Sequence, residues 1–202
     1  MQRSPTQISL LVLWASLGCL LLGGAPSTVG AHKRNDPELV SVHAEQEKGR
    51  EREYQLKAAF LYNFAKYTVW PSSAFPKKDT PIRFTVVGKG PFGKSLEAAF
   101  DKKKISGRQI LVERVLKPGD FKSAHVLFLG EMDEKELALL LKRIAKDPVL
   151  VVADKAGIAG HGSSVGFYLE KGKVRFEVSP KAIEAAKLKL SSQLLKLARL
   201  VK

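Results

Sequence analysis

The chain has 202 residues, 34 Lys and Arg against 20 Asp and Glu, a formal net charge of +14, and one cysteine. One cysteine excludes a disulfide scaffold and any multi-cysteine zinc or iron–sulfur site, and four scattered histidines argue against a His-rich metal centre. A hydrophobic fraction of 45% suffices for a packed core, while the basic excess raises a nucleic-acid or membrane-surface reading that compartment and charge placement must decide.

Arg3 is the only charge in residues 1–31, and an apolar run from Ile8 to Leu22 is followed by small residues up to Ala31. A basic start, a short apolar stretch and a small-residue exit predict a secretory signal peptide over 1–31. The run is shorter than the ~20 residues of a membrane span. Cleavage after Ala31 fits better than after Ala25, because Pro26 follows the latter. Cys19 lies inside the run with Leu20, Leu21 and Leu22 behind it, which argues against lipidation. Removal of this segment takes Arg3 and Cys19 with it, leaving +13 and no cysteine. The expected location is the periplasm, out of reach of cytosolic nucleic acid and cytosolic cofactors.

Residues 32–53 carry eleven charges and little apolar content, and read as a charged tether turning helical towards its end. From residue 54 to 202 the pattern is that of one folded domain. A first helix is predicted over about 50–68, with Leu56, Phe60, Phe64 and Tyr67 recurring at helical spacing beside Ala59 and Leu61. Trp70-Pro71 ends it. Strands follow at Ile82–Gly88, Gln109–Val115, Ala124–Leu129 and Val149–Ala153. A short helix is expected over about 93–101, and another over 133–146 that opens with a capping box, Asp133 and Glu136. Leu137, Leu140, Leu141 and Ile144 form its buried stripe.

Lys171-Gly172 between Val165–Glu170 and Lys173–Val178 signals a hairpin. Two helices close the chain, one after Pro180 and one capped by Ser191. Continuous apolar strands separated by helices predict an α/β fold. The expected form is a mostly parallel six-stranded sheet with a C-terminal hairpin and helices on both faces, in a Rossmann-like three-layer arrangement.

Gly88-Lys89-Gly90-Pro91-Phe92-Gly93 fits G-x-G-x-x-G after a strand, and Glu113 lies twenty residues on. The pattern is cheap in a chain with sixteen glycines, and a tight strand-to-helix turn explains it without a cofactor. His125 begins an apolar strand and reads as a buried, hydrogen-bonded histidine. A Ser163–His125–Asp154 triad can be drawn, but no G-x-S-x-G elbow supports it. His32 and His43 fall in the tether and His161 in a loop between glycines. Catalytic, cofactor-binding and metal-binding residues are therefore expected to be absent. The segment 180–202 is basic, with Ile183, Leu190, Leu194, Leu197 and Val201 as an apolar stripe. A helix packed on the core with a solvated Lys/Arg face accounts for it. A membrane-lying or partner-docking amphipathic helix is the alternative.

The stretch Glu53–Pro71, EYQLKAAFLYNFAKYTVWP, resembles the opening helix of the YfiR family of periplasmic proteins, which reads EYxLKAAFLYNFxKFxxWP. The resemblance continues through the Pro91-Phe92-Gly93 element with Leu96, His125–Leu129, Gly172–Val178 and Leu188–Val201, and covers about residues 53–202. It implies a non-enzymatic regulator, acting as a homodimer, that binds and represses the extracytoplasmic sensor domain of an inner-membrane diguanylate cyclase or a related sensor kinase. Cyclic-di-GMP signalling would then be its output, with no cofactor, no nucleic acid and at most a peripheral membrane contact. Many relatives place a cysteine immediately before the histidine of the third strand. Ala124 stands there in this chain, which argues against disulfide-based redox control. A periplasmic small-molecule-binding module is the competing expectation. Its pocket would lie at the carboxyl ends of the parallel strands, with Gly90, Pro91, Phe92 and Gly93 as lining and Asn63 as a polar contact. The same residues are the candidate partner contacts.

Overall fold

A computed structural model describes residues 37–201. The expected signal peptide, its candidate cleavage sites, Cys19, His32 and the start of the expected tether lie outside the described residues.

The first helix, α1 (Pro37–Lys66), is thirty residues long, about 45 Å at 1.5 Å per residue. It starts thirteen residues before the expected 50 and takes in most of the charged stretch. Residues 41–52 are exposed on every side, so no apolar face announced this half. The packed half is rotated from the expected stripe. Lys57, Ala58, Leu61, Phe64 and Ala65 are buried, whereas Leu56 is 47% exposed, Ala59 is exposed, and Phe60 and Tyr67 are half-buried. The cause is Lys57, whose ammonium is held inside by two carboxylates. That turns the helix so that Phe64 meets Phe167 and Phe176 at ring-centroid distances of 5.5 and 4.9 Å.

A two-residue strand β1 (Thr68–Val69) follows, then β2 (Ile82–Val87), α2 (Ser95–Phe100), β3 (Ile110–Val115), β4 (Val126–Leu129), α3 (Glu134–Ile144) and β5 (Leu150–Ala153). The hairpin β6 (Val165–Glu170) and β7 (Lys173–Val178) turns through Lys171 and Gly172, both at positive φ, as a primed two-residue turn requires. The chain ends with α4 (Pro180–Ala185), β8 (Lys189–Leu190), α5 (Ser192–Leu195) and β9 (Arg199–Leu200). Among the described residues no helix is long and apolar enough to cross a membrane.

The main sheet has seven strands in the order β3-β2-β4-β5-β6-β7-β9. Neighbours from β3 to β6 run parallel, β7 is antiparallel to β6, and β9 is parallel to β7. The fold is α/β with a mostly parallel sheet, as expected. The count is corrected from six to seven by β9, and a separate two-stranded sheet pairs β1 with β8. Two-residue strands carry no periodicity by which to find them.

Side chains alternate across the sheet with period two. Phe84, Val86, Val126, Phe128, Leu150 and Val152 face α1 and α2, while Val87, Leu127, Leu129, Val151 and Ala153 face α3. On α3 the expected stripe holds with Leu140 and Ile144 buried and Leu137 and Leu141 half-buried. The Asp133 carboxylate caps it by accepting from the Lys135 and Glu136 amides. The two expected C-terminal helices are present but short, and the apolar residues of 180–202 do not form one stripe. Lys187 at φ 56° ends α4, Leu190 enters β8, Leu194 is buried in the short α5, and Leu197 is 69% exposed. The expected Ser191 cap is present, its hydroxyl accepting from the Leu194 amide, and Ser179 caps α4 in the same way by accepting from the Ala182 amide.

Candidate functional site

In the order β3-β2-β4-β5-β6, the connections after β2 and β4 leave on opposite faces, because α2 packs with α1 and α3 packs on the other side. A crevice opens at the carboxyl ends of such a strand pair, and open α/β sheets commonly bind ligands there. Here its deepest part is closed by the backbone. The Lys89 amide donates to the Glu131 carbonyl at 3.1 Å and the Glu131 amide to the Lys89 carbonyl at 3.0 Å. Glycines make this approach possible. A Cβ on Gly88 would lie 2.5 Å from the Glu131 oxygen, and one on Gly130 would lie 2.4 Å from the Lys89 oxygen. A Cβ on Gly90 would meet Val86 at 2.5 Å. Gly88 and Gly90 of the motif are thus packing requirements, whereas a Cβ on Gly93 would meet nothing within 4 Å and its φ of +48° is what favours glycine there. The Lys89 amide, which a dinucleotide phosphate would seek, is spent on the neighbouring loop. Glu113, in the place of a ribose-binding acid, pairs instead with Arg83 at 3.1 Å.

Beside this seam stands a buried polar cluster. Lys57 is 2% exposed, and its ammonium reaches both Asp154 oxygens at 2.7 Å and the Glu53 carboxylate. The Tyr54 hydroxyl donates to Asp154 Oδ2 at 2.8 Å, and the ammonium lies 4.6 Å from the Tyr54 ring centre. Burial, and behind it the Asp154 carboxylate, pushes the Tyr54 hydroxyl well above the usual tyrosine range, so it stays a donor. Lysine is almost never buried unless paired. Glu53 sits one turn before Lys57 on α1, and Asp154 follows β5, so the cluster pins the helix to the carboxyl end of the sheet.

Between the cluster and the seam lies an open cleft of about 660 Å³. Arg50 and Tyr54 of α1 line it, with Lys89, Gly90 and Pro91 after β2, Gly130 and Glu131 after β4, Leu137 of α3, and Asp154, Lys155 and Ile158 after β5. Of the five residues expected from sequence, Gly90 and Pro91 line the cleft. Phe92 is buried beneath it, its ring edge-on to Tyr54 at 5.4 Å and to Phe128 at 4.7 Å. Gly93 is exposed on the way to α2, its carbonyl accepting from Arg114. Asn63 is exposed on α1, nine residues or ~13 Å along the helix from Tyr54, and is not among the lining residues. The structure therefore brings two of the five together. Sequence reasoning missed Arg50, Tyr54, Lys89, Glu131, Asp154 and Lys155. Tyr54 and Lys57 were visible in the opening motif, but nothing along the chain tied them to Asp154.

The paper triad is not assembled. His125 is buried and its ring is committed: Nδ1 accepts from the Arg83 amide at 3.0 Å and Nε2 lies 3.1 Å from the Ala74 carbonyl, to which it donates. Phe75 stacks on the imidazole at 4.7 Å. Burial, first, and then Arg83 and Arg108, hold its pKa below the usual histidine range, and only the Ala74 bond opposes them. Ser163 is buried with its hydroxyl on the Val165 and Val151 carbonyls, and Asp154 is taken by Lys57 and Tyr54. Among the described residues no three His, Cys, Asp or Glu side chains are grouped to hold a metal.

The sequence profile of the YfiR/HmsC-like family matches residues 54–199. No curated protein matches the chain. Among solved structures, it is similar to an ABC domain from Streptococcus pneumonia in complex with L-Trp, at 6% identity and a TM-score of 0.44, over 59% of this chain and 55% of that one. It is also similar to a conserved domain protein from Vibrio cholerae O1 biovar El Tor, at 12% identity and a TM-score of 0.39, over 65% of this chain and 57% of that one. The chain thus spans a little over half the length of either.

Proposed function

The chain belongs to the YfiR/HmsC-like family, and on that premise we propose that it is a periplasmic regulator of cyclic-di-GMP signalling. In this reading it binds and represses the extracytoplasmic sensor domain of an inner-membrane diguanylate cyclase or a related signalling protein, acts as a homodimer, and performs no chemistry of its own. The observation that carries the reading is the extent of the match, which runs from the packed half of α1 through to β9.

Charge supports it. Lys181, Lys187, Lys189, Lys196 and Arg199 are all exposed over the last elements of the chain, with Leu197 and Leu200 among them. A cationic, partly apolar surface of this kind favours and steers encounter with an acidic partner. Control would then be a population shift, in which the bound form holds the membrane protein inactive and the signal favours release. The signal acts on something other than a disulfide, since Cys19 is the only cysteine.

Deleting the gene should raise cellular cyclic-di-GMP, and affinity capture from detergent-solubilised membranes should recover a cyclase or sensor kinase. Unchanged cyclic-di-GMP, together with capture of no signalling membrane protein in several growth and stress conditions, would sink the reading.

A further inference from the structure

We propose that the cleft at the carboxyl ends of β2, β4 and β5 binds a small organic anion, an apolar body carrying a carboxylate or a phosphate. The proposal goes beyond partner binding and stands whichever membrane protein is the partner.

Three observations carry it. The cleft has about 660 Å³, within the roughly 300–1,000 Å³ of known small-molecule sites, and it lies where open α/β sheets place their ligands. Its walls are apolar at Pro91, Leu129, Leu137 and Ile158, which suits a hydrophobic body. Its charge is unbalanced. Arg50, Lys89 and Lys155 reach it from three separate elements, and among the described residues none of them makes an ion pair or a side-chain hydrogen bond.

Two acids also line the cleft, and they differ. Asp154 shares the one charge of the buried Lys57 with Glu53 and is bonded by Tyr54, so that cluster keeps a single net negative charge. That charge and Glu131 together are outnumbered by the three cations. Lys57 thus does more than pin α1: it halves the negative charge that the cluster would otherwise set against an anion. The backbone seam between Lys89 and Glu131 closes the crevice where a nucleotide's pyrophosphate would go. What is left is a shallower space for a smaller molecule, with exposed cationic side chains as its anion contacts instead of loop amides.

Amide-resolved NMR on the purified protein tests this, with phenyl phosphate and benzoate as the probes and phenol and inorganic phosphate as the uncharged and body-less controls. Saturable shifts are expected at Lys89, Gly90, Gly130 and Lys155 with at least one of the two anions, and not with the controls. Shifts with phenyl phosphate alone assign a phosphate ester, and with benzoate alone a carboxylic acid.

In the double variant Lys89→Glu, Lys155→Glu the affinity should fall by roughly tenfold or more. The comparison Lys122→Glu, which reverses an exposed charge ahead of β4, should leave it unchanged. Both lysines are exposed, so the variants should keep the wild-type circular dichroism spectrum. The proposal is overturned by absence of saturable shifts at millimolar probe, by equal response to phenol or inorganic phosphate, or by an affinity that the double variant leaves intact. Equal loss in Lys122→Glu also overturns it, because only net charge would then be at work.

Discussion

Replacing Lys57 by methionine keeps the length and apolar stem of the side chain and removes only its charge. The ammonium is 2% exposed and bonded to Asp154 and Glu53, whose side chains keep 22% and 25% of their exposure. Removing one partner of a buried pair costs roughly 3–5 kcal/mol, because the other charge is stranded. The two carboxylates still touch water, which places this case at the lower end, about 3 kcal/mol. With a urea slope near 2 kcal/mol/M for a domain of this size, the unfolding midpoint should fall by about 1.5 M. The assay is urea unfolding followed by circular dichroism and tryptophan fluorescence. The single variant Asp154→Asn and the double variant complete a cycle, and a coupling near 2 kcal/mol is expected between the two positions. If Lys57→Met loses less than about 1 kcal/mol, the stem alone holds the helix and the reasoning about a charge-locked α1 is refuted.

Three further outcomes follow from the same geometry. His125 has a folded-state pKa below its unfolded value of ~6.5. Its contribution is therefore complete above that pH and is lost as pH falls towards the folded value. The urea midpoint should decline on acidification below ~6.5, and less so in His125→Gln; equal slopes in the two proteins would contradict this. Gly88→Ala places a Cβ against the Glu131 carbonyl at a φ of +84°, and should cost ~3 kcal/mol in thermal or urea unfolding, with Gly130→Ala costing ~1–3 kcal/mol by steric contact alone. Gly49→Ala meets nothing within 4 Å in mid-helix, and should add ~0.5–1 kcal/mol of helix stability, read as slower amide exchange over residues 41–52.

The elements most legible along the chain were those whose signal is local. The apolar runs of β4 and β5 face helices on both sides, and Lys171-Gly172 supplies the positive φ that its hairpin demands. The caps Asp133 and Ser191 likewise need only three neighbouring residues. What escaped depends on partners far away in sequence. The rotation of α1 is set by Lys57 meeting Asp154, and a charged residue at a core position is the one thing a hydrophobic stripe cannot forecast. Residues 41–52 of α1 have no buried face. In the cleft, Gly90 and Pro91 were found because a glycine-rich turn after a strand is a recognisable pattern. Arg50 and Lys155 are ordinary exposed cations until the fold sets them on one rim.

The pairing of β8 with β1 sets an order of assembly. Thr68 lies opposite Leu190, the Ser191 amide donates to the Tyr67 carbonyl at 3.0 Å, and Leu188 and Leu194 complete the same core as Phe64. The helix that emerges early from a synthesising or translocating machine therefore waits for almost the last residues before its far end is covered. Long-range closure of this kind slows folding. A chain threaded amino end first stays unfinished, and so threadable, until its carboxyl end is through. The same arrangement makes the final dozen residues a poor place for truncation or an affinity tag that displaces them, short and irregular as they look in the sequence.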